Sequence, residues 1–316
     1  MNPLRRTLLG LALAGLALHA HAADLLQVYR DAQRYAAQYA GARASRDAGL
    51  EKLPQARAGL LPTLGLTANQ TRTELETTSR ASGASTALDY NSNTWTLTLT
   101  QPLFRWQNWV GYQQGELAAA NAEAQFVQAS QDLIVRVAQT YFDVLLAQET
   151  LATAQTQKTA TAEQLAAARR NFEVGTATIT DTHEAQARYD LIVAQEIAAE
   201  NDLAVKRQVL STLTGKEPEA LKKLQDKVRI SRPQPDDPAQ WASVAQTDNI
   251  GVQLAQTGFE VAGREIEKQR AGHYPTLDLV ATHGKAGTGF STAAVGGSDS
   301  KTSTIGLQLT VPIFAG

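Results

Sequence analysis

The 316-residue sequence predicts an α+β chain in which four amphipathic strands are set among long helices. Three observations carry this reading. The chain starts with an export signal, it contains a duplicated pair of alternating strands, and its middle third has the spacing of a long helix. With 19% of residues charged and a net charge of −2, the charge is too balanced for a disordered acidic chain or a strongly basic nucleic-acid binder. The sequence has no cysteine, so disulfides, thiolate metal sites and cysteine nucleophiles are excluded.

Arg5 and Arg6 precede an apolar run from Leu8 to Leu18, and Ala20-His21-Ala22 places small residues where a signal peptidase reads them. Residues 1–22 are therefore expected to be a cleaved signal peptide. The run is too short to span ~30 Å of hydrocarbon. Loss of Arg5 and Arg6 takes the basic residues from 29 to 27 against 31 acidic ones, so the mature chain carries a net charge of −4.

The duplication has two parts. Arg57-Ala58-Gly59-Leu60-Leu61-Pro62-Thr63-Leu64-Gly65-Leu66 recurs as Arg270-Ala271-Gly272-His273-Tyr274-Pro275-Thr276-Leu277-Asp278-Leu279, at an offset of 213 residues. Leu97 to Phe104, with Pro102, recurs as Leu307 to Phe314, with Pro312, at an offset of 210. Two matches in the same order indicate one repeated unit. Each unit carries two strands. Thr94 to Thr100 alternates with period 2, as do Ile305, Leu307, Leu309 and Val311 against Gly306, Gln308 and Thr310; Leu64, Leu66 and Ala68, and Leu277 and Leu279, mark weaker partners. The polar face is Thr, Gln and Asn. A half-buried soluble sheet and an outer-membrane barrel both fit this alternation. Residues 76–93 and 284–303, rich in Ser, Thr, Gly and Ala, read as long loops between the strands. Pro62, Pro102, Pro275 and Pro312 read as helix–strand junctions, because proline restricts its predecessor and lacks a donor.

The rest reads as helix. Residues 105–172 contain no proline and only Gly111 and Gly115. Leu117, Ala120, Ala124, Val127, Gln131, Ile134, Ala138, Tyr141, Leu145, Gln148 and Ala152 step by three and four, a heptad seam. A helix of this length would be a rod of roughly 100 Å. Gly175 suits a left-handed helix end, and Thr180 or Asp181, with Glu184, reads as the cap of a second helix that ends near Leu213, before Gly215 and Pro218. Residues 24–58 and about 238–271 read as shorter helices, with a kink expected at Pro54. The resulting division is 1–22 signal peptide, 23–60 first helix, 61–104 first β-hairpin, 105–214 long helix hairpin, 215–237 connector, 238–272 helix of the second repeat and 273–316 second β-hairpin.

Specific residues then resemble the TolC family of outer-membrane channel proteins. Ala23-Asp24-Leu25-Leu26-Gln27-Val28-Tyr29 resembles its mature start. Leu60 to Leu64 and Tyr274 to Leu279 resemble its helix-to-strand passages. Ala138 to Leu145, Phe172 to Thr176, Ile179-Thr180-Asp181 and Ala187-Arg188-Tyr189-Asp190 resemble its hairpin signatures. The resemblance covers residues 23–316. It implies a homotrimer, with four strands per chain entering one 12-stranded outer-membrane β-barrel continued by a long α-helical periplasmic tunnel. Strand number alone already requires association, since four strands cannot close a barrel and bacterial barrels start at about eight. The resemblance further implies a passive exit channel for drugs or secreted polypeptides in an efflux pump or type I secretion system, partnered by a periplasmic adaptor and an inner-membrane pump or ABC transporter.

By the same resemblance, Thr180 and Asp181 belong to a periplasmic gate, and Val174, Gly175 and Thr176 form the tip where adaptor hairpins dock. The second repeat ends four residues after Pro312, so by internal symmetry a second long hairpin is missing and the sequence reads as cut short. A non-functional channel fragment and a periplasmic coiled-coil adaptor are the competing readings. A secreted coiled coil would need no duplicated strands. Catalysis, cofactor and metal are not expected: His183-Glu184 lacks a second histidine for a zinc helix, and Gly215-Lys216 lacks the rest of a phosphate loop.

Overall fold

The computed structural model describes residues 23–217, 220–224, 231–290 and 296–314. The signal peptide, Pro218 and part of the 215–237 connector lie outside the described residues. The elements are α1 (Leu25–Tyr35), α2 (Ala37–Leu50), α3 (Lys52–Ala58), β1 (Thr63–Thr78), β2 (Ser85–Phe104), α4 (Trp106–Glu173), α5 (Ile179–Thr214), α6 (Pro238–Asp248), α7 (Ile250–Arg270), a 3₁₀ turn (Ala271–His273), β3 (Thr276–Thr288) and β4 (Ser298–Thr310). They fall into two compact units. One draws on residues up to Ala44 and on Val127–Pro238, the other on Ser45–Phe126 and residues from Ala239 onward.

The first unit is helical. Its core is a stripe along α4 formed by Leu133, Val137, Thr140, Val144, Ala147 and Ala154, with Tyr141 and Leu145 beside it. Glu196, Ala199, Leu203, Leu210 and Thr214 face inward from α5, and Val28 and Ala32 from α1. The predicted seam thus lies one residue off the buried stripe over most of its length. Ile134 and Val127 on that seam are 52% and 47% exposed. The physical reason is that α4 is apolar on more than one face, and the heptad steps are satisfied equally by the set beginning at Leu133. The Lys158 ammonium meets the buried carboxylate of Glu196 at 2.6 Å, and Arg169 donates to Gln186 at 2.6 Å, so polar pairs join α4 to α5 above the apolar stripe. The Tyr141 hydroxyl donates to the Lys222 carbonyl at 2.7 Å, while Ala23 pairs with the same connector through Ala220 and Lys222. Gly215 takes the left-handed cap (φ 71°) that ends α5, and a Cβ there would also strike the Tyr35 ring.

The second unit holds one antiparallel sheet in the order β1-β2-β3-β4. Its strands are longer than the alternation suggested, and the loops correspondingly shorter. Most of 76–93 is not loop: Thr78 pairs with Ser85, and only residues 79–84 turn, closed by Ser79 N–H to the Ala84 carbonyl at 2.9 Å. Likewise β3 continues to Thr288 and β4 begins at Ser298. Threonine is β-branched and small polar residues pair well across strands, so a Ser/Thr-rich composition does not by itself signal a loop.

Pro62 and Pro275 stand immediately before β1 and β3. Pro102 lies inside the last residues of β2, at the register shift against β3 between Pro102 and Phe104, and Pro312 follows β4 by two residues. Helices near the sheet are more broken than predicted. Residues 24–58 divide at Ala36 and at Glu51. The second break precedes Pro54, which cannot donate to the Leu50 carbonyl. The helix of the second repeat divides at Asn249, whose side chain accepts from the Val252 N–H at 3.2 Å and caps α7. Close helix contact needs small residues: a Cβ on Gly115 would lie 2.5 Å from that of Ala56.

Where β2 passes into α4, Arg105 forms a two-pronged pair with Asp278 of β3, at 2.7 and 2.6 Å. Asp278 is 5% exposed. This pair ties the start of the long helix to the strand of the other repeat. Replacing Asp278 with Ala is expected to strand the Arg105 guanidinium and lower stability by about 2 kcal/mol, since Arg105 stays partly hydrated. Chemical unfolding of the detergent-solubilised protein measures this; an unchanged midpoint would show that the pair is idle.

Candidate functional site

The tip of the helix hairpin is built by two local devices. At the end of α4, three amides turn back on the helix. Gly175 N–H donates to the Phe172 carbonyl at 3.0 Å, and the N–H groups of Thr176 and Ala177 both reach the Asn171 carbonyl at 2.8 and 3.2 Å. The Thr176 hydroxyl donates to the same oxygen at 3.0 Å. Gly175 has φ 79° with open space around it, so glycine is required here by backbone conformation and not by crowding.

At the start of α5 the cap is Thr178, not Thr180 or Asp181 as expected. Its hydroxyl accepts from the Asp181 N–H at 3.2 Å, and Asp181 Oδ2 accepts from the Thr178 N–H and hydroxyl, both at 2.8 Å. This is a reciprocal capping box. The Thr178-Ile179-Thr180-Asp181 spacing carries that signature, and it explains the shift: Asp181 sits at the third helical position, where a carboxylate serves as the partner of a cap two residues earlier than Thr180. The backbone N–H of Thr178, and then its hydroxyl, hold the Asp181 carboxyl below the ordinary aspartate range.

The tip therefore presents a hydrogen-bonded turn with apolar side chains on its outside. Val174 is 72% exposed, and Phe172 and Ile179 are nearly half exposed. Thr180 is exposed on the first turn of α5. Such a surface can dock a protein segment, and it holds no arrangement suited to bond-making. Among the described residues no cluster of three His, Asp or Glu side chains could hold a metal ion.

The sheet is the second candidate. Leu64, Leu66, Leu97, Leu99, Ala281, Ile305 and Leu307 share one face by register. Thr63, Thr67, Thr98, Thr100, Thr282 and Thr304 share the other. Among the described residues, neither edge strand, β1 or β4, has a second strand partner. Sequence reasoning missed Arg105 and Asp278 as a pair. A signal was present: Asp278 is a carboxylate on the threonine face, where the first repeat has Gly65 at the 213-residue offset.

A sheet with one apolar and one hydroxyl-rich face, open at both edges among the described residues, and a long helix hairpin fit the class of outer-membrane β-barrel proteins. Residues 28–216 match the family described as outer membrane efflux protein, and the chain belongs to that family. It is 36% identical over 307 residues to the proteases secretion protein PrtF of Dickeya chrysanthemi, covering 94% of this chain and 65% of that one. It is 31% identical to the outer membrane protein TolC of Escherichia coli K12, covering all of this chain and 64% of that one. The fold is similar to that of the Campylobacter jejuni CmeC outer membrane channel, with TM-score 0.74 and 17% identity over 92% of this chain and 61% of that one. The chain thus spans about two thirds of the length of these curated relatives. Its place is the outer membrane.

Two outcomes follow from the capping box. Thr178→Ala is expected to cost about 1 kcal/mol, and Thr180→Ala only a few tenths; amide exchange across 178–186 separates them, and equal effects would contradict the cap assignment. The depressed Asp181 carboxyl gives stabilisation that is full above the carboxyl's unfolded-state value and is lost as pH falls through its lower folded-state value. Protection of the tip amides, relative to their intrinsic exchange rates, should therefore fall at acid pH, and Asp181→Asn should remove that dependence.

Proposed function

We propose that this chain forms, with further copies of itself, an outer-membrane exit duct that passively conducts drugs or secreted polypeptides. The observation that carries the reading is the sheet: four strands with an apolar face, a hydroxyl face and two unpaired edges. In hydrocarbon each unpaired backbone group costs several kcal/mol, so the edges need strands from other copies. Resemblance to the family favours three copies and a 12-stranded barrel, its lumen lined by the threonine face. Exposed apolar residues on the helix hairpin, including Ile134, Phe142, Leu146, Leu191 and Ile197, fit helices of neighbouring copies in a periplasmic tunnel. The name of the 36%-identical relative, a proteases secretion protein, supports polypeptide among the cargo classes.

In this reading Val174, Gly175 and Thr176 dock a periplasmic adaptor that links the duct to an inner-membrane pump or ABC transporter, and Thr180 and Asp181 serve the gate. Asp181 spends Oδ2 on its own capping box, which leaves Oδ1 and the Thr180 hydroxyl for links between hairpins. No cofactor enters, and catalysis has no part; the energy comes from the pump.

Deletion of the gene in its host is expected to lower tolerance to detergents and dyes or to abolish export of a secreted polypeptide. Val174→Asp should weaken adaptor cross-linking and reproduce the deletion at unchanged outer-membrane abundance. Normal tolerance together with normal secretion in the deletion strain would overturn the proposal.

A further inference from the structure

The register of the sheet places one row of residues on the apolar face that the duct reading does not explain. Ala68, Trp95, Lys285 and Lys301 stand opposite one another across all four strands. The rows on the helix side of it are apolar in the main: Leu66, Leu97, His283 and Ser303, then Leu64, Leu99, Ala281 and Ile305, followed by Leu279 with Leu307 and Leu277 with Leu309. The row on the loop side is polar: Gln70, Asn93, Gly287 and Asp299. The lysines thus sit on the rim where leucine gives way to polar residues. Trp95 beside them is the residue type that marks a membrane interface.

Two like charges directly opposite on adjacent strands destabilise a sheet. Here the repulsion is half relieved. Lys285 meets Asp299 at 2.8 Å, and Lys301 has no partner among the described residues. Further along the strands, Arg72 is held by Asp89 at 2.6 Å and by Glu74 at 3.6 Å, so those acids are already engaged. His283 is bound to the Ser303 hydroxyl at 2.7 Å and meets the Trp95 ring edge-on at 5.6 Å, which fixes the tryptophan next to the lysines.

We propose that Trp95, Lys285 and Lys301 hold the phosphate-bearing headgroup of an outer-leaflet lipid, one per chain. The inference rests on the barrel reading, in which the leucine face meets lipid. The strand ends joined to α3, α4 and α7 are then periplasmic, and the row lies toward the outer surface. Its chemistry fits that ligand. Two ammonium groups at the rim supply charge-assisted donors to phosphate oxygens, the indole ring rests at the boundary, and the leucine rows below accept acyl chains. Asp299 competes for Lys285, so it sets the affinity.

The test titrates the detergent-solubilised full chain with dihexanoyl phosphatidic acid, with dihexanoyl glycerol and with inorganic phosphate, and counts bound ligand by native mass spectrometry. The expected result is one phosphatidic acid per chain, with little binding of the other two. Lys301→Gln should weaken binding about fivefold and the double change with Lys285→Gln about 25-fold, while Lys301→Arg retains it and Asp299→Asn strengthens it. Two results overturn the proposal: inorganic phosphate binding as well as the lipid, or the double variant binding lipid like the parent. Membrane fractionation separates this from failure of the duct reading. If the parent does not sediment with the outer membrane, the barrel reading fails; if it does, with normal oligomers in the double variant and unchanged lipid binding, only the lipid site fails.

Discussion

Pairing of backbone hydrogen bonds is the constraint on which the rest of this structure depends. Within the sheet, β2 and β3 are paired on both sides, and β1 and β4 on one. In water an open edge is solvated. In hydrocarbon it is not, and only closed sheets or helices satisfy every N–H and C=O. In the barrel reading, a single sheet of four strands is therefore not a closed structure. The two faces follow from the same constraint. Once closed, a sheet has an inside and an outside, and the period-2 alternation sends leucines to one and threonines to the other.

The junction between sheet and helix is where the second repeat departs from the first in chemistry. Gly65 and Asp278 occupy equivalent places, and only Asp278 carries a side chain. That carboxylate reaches Arg105, the residue between β2 and α4. A duplicated unit thus becomes asymmetric at the point where α4, a helix of 68 residues, leaves the end of a strand. A planar guanidinium gripping a carboxylate by two parallel hydrogen bonds fixes direction as well as distance, which a lysine at this place would not do.

Much of this architecture was legible in the sequence because it rests on periodicity. The strand alternation, the helix hairpin and the duplication are repeated signals, and each is read many times over. What escaped was decided by single contacts. The seam of α4 was placed one residue off because alanine-rich faces differ little in hydrophobicity; packing by Leu133, Val137 and Val144 chose among them. The cap of α5 was assigned two residues late because both Thr178 and Thr180 offer a hydroxyl, and only the position of Asp181 three residues after Thr178 closes a box. The loops were overestimated because composition was read in place of pairing: Thr86, Leu88 and Tyr90 have ladder partners in β1 that no local property of 76–93 announces.

The same distinction separates the tip from the sheet as functional surfaces. At the tip, the amides of Gly175, Thr176, Ala177, Thr178 and Asp181 are satisfied locally, through Phe172, Asn171, Asp181 and Thr178. Its turn is therefore held by bonds within the hairpin, and Val174, Phe172 and Ile179 stay exposed beside it. In the barrel reading, the sheet edges are the reverse case: their hydrogen bonds are supplied by another copy of the chain. In that reading the protein has one surface occupied by further copies of itself and another whose occupation is optional. In the proposed reading, reversible docking suits the second, because the tip amides of Gly175, Thr176, Ala177, Thr178 and Asp181 keep their own partners when it is free.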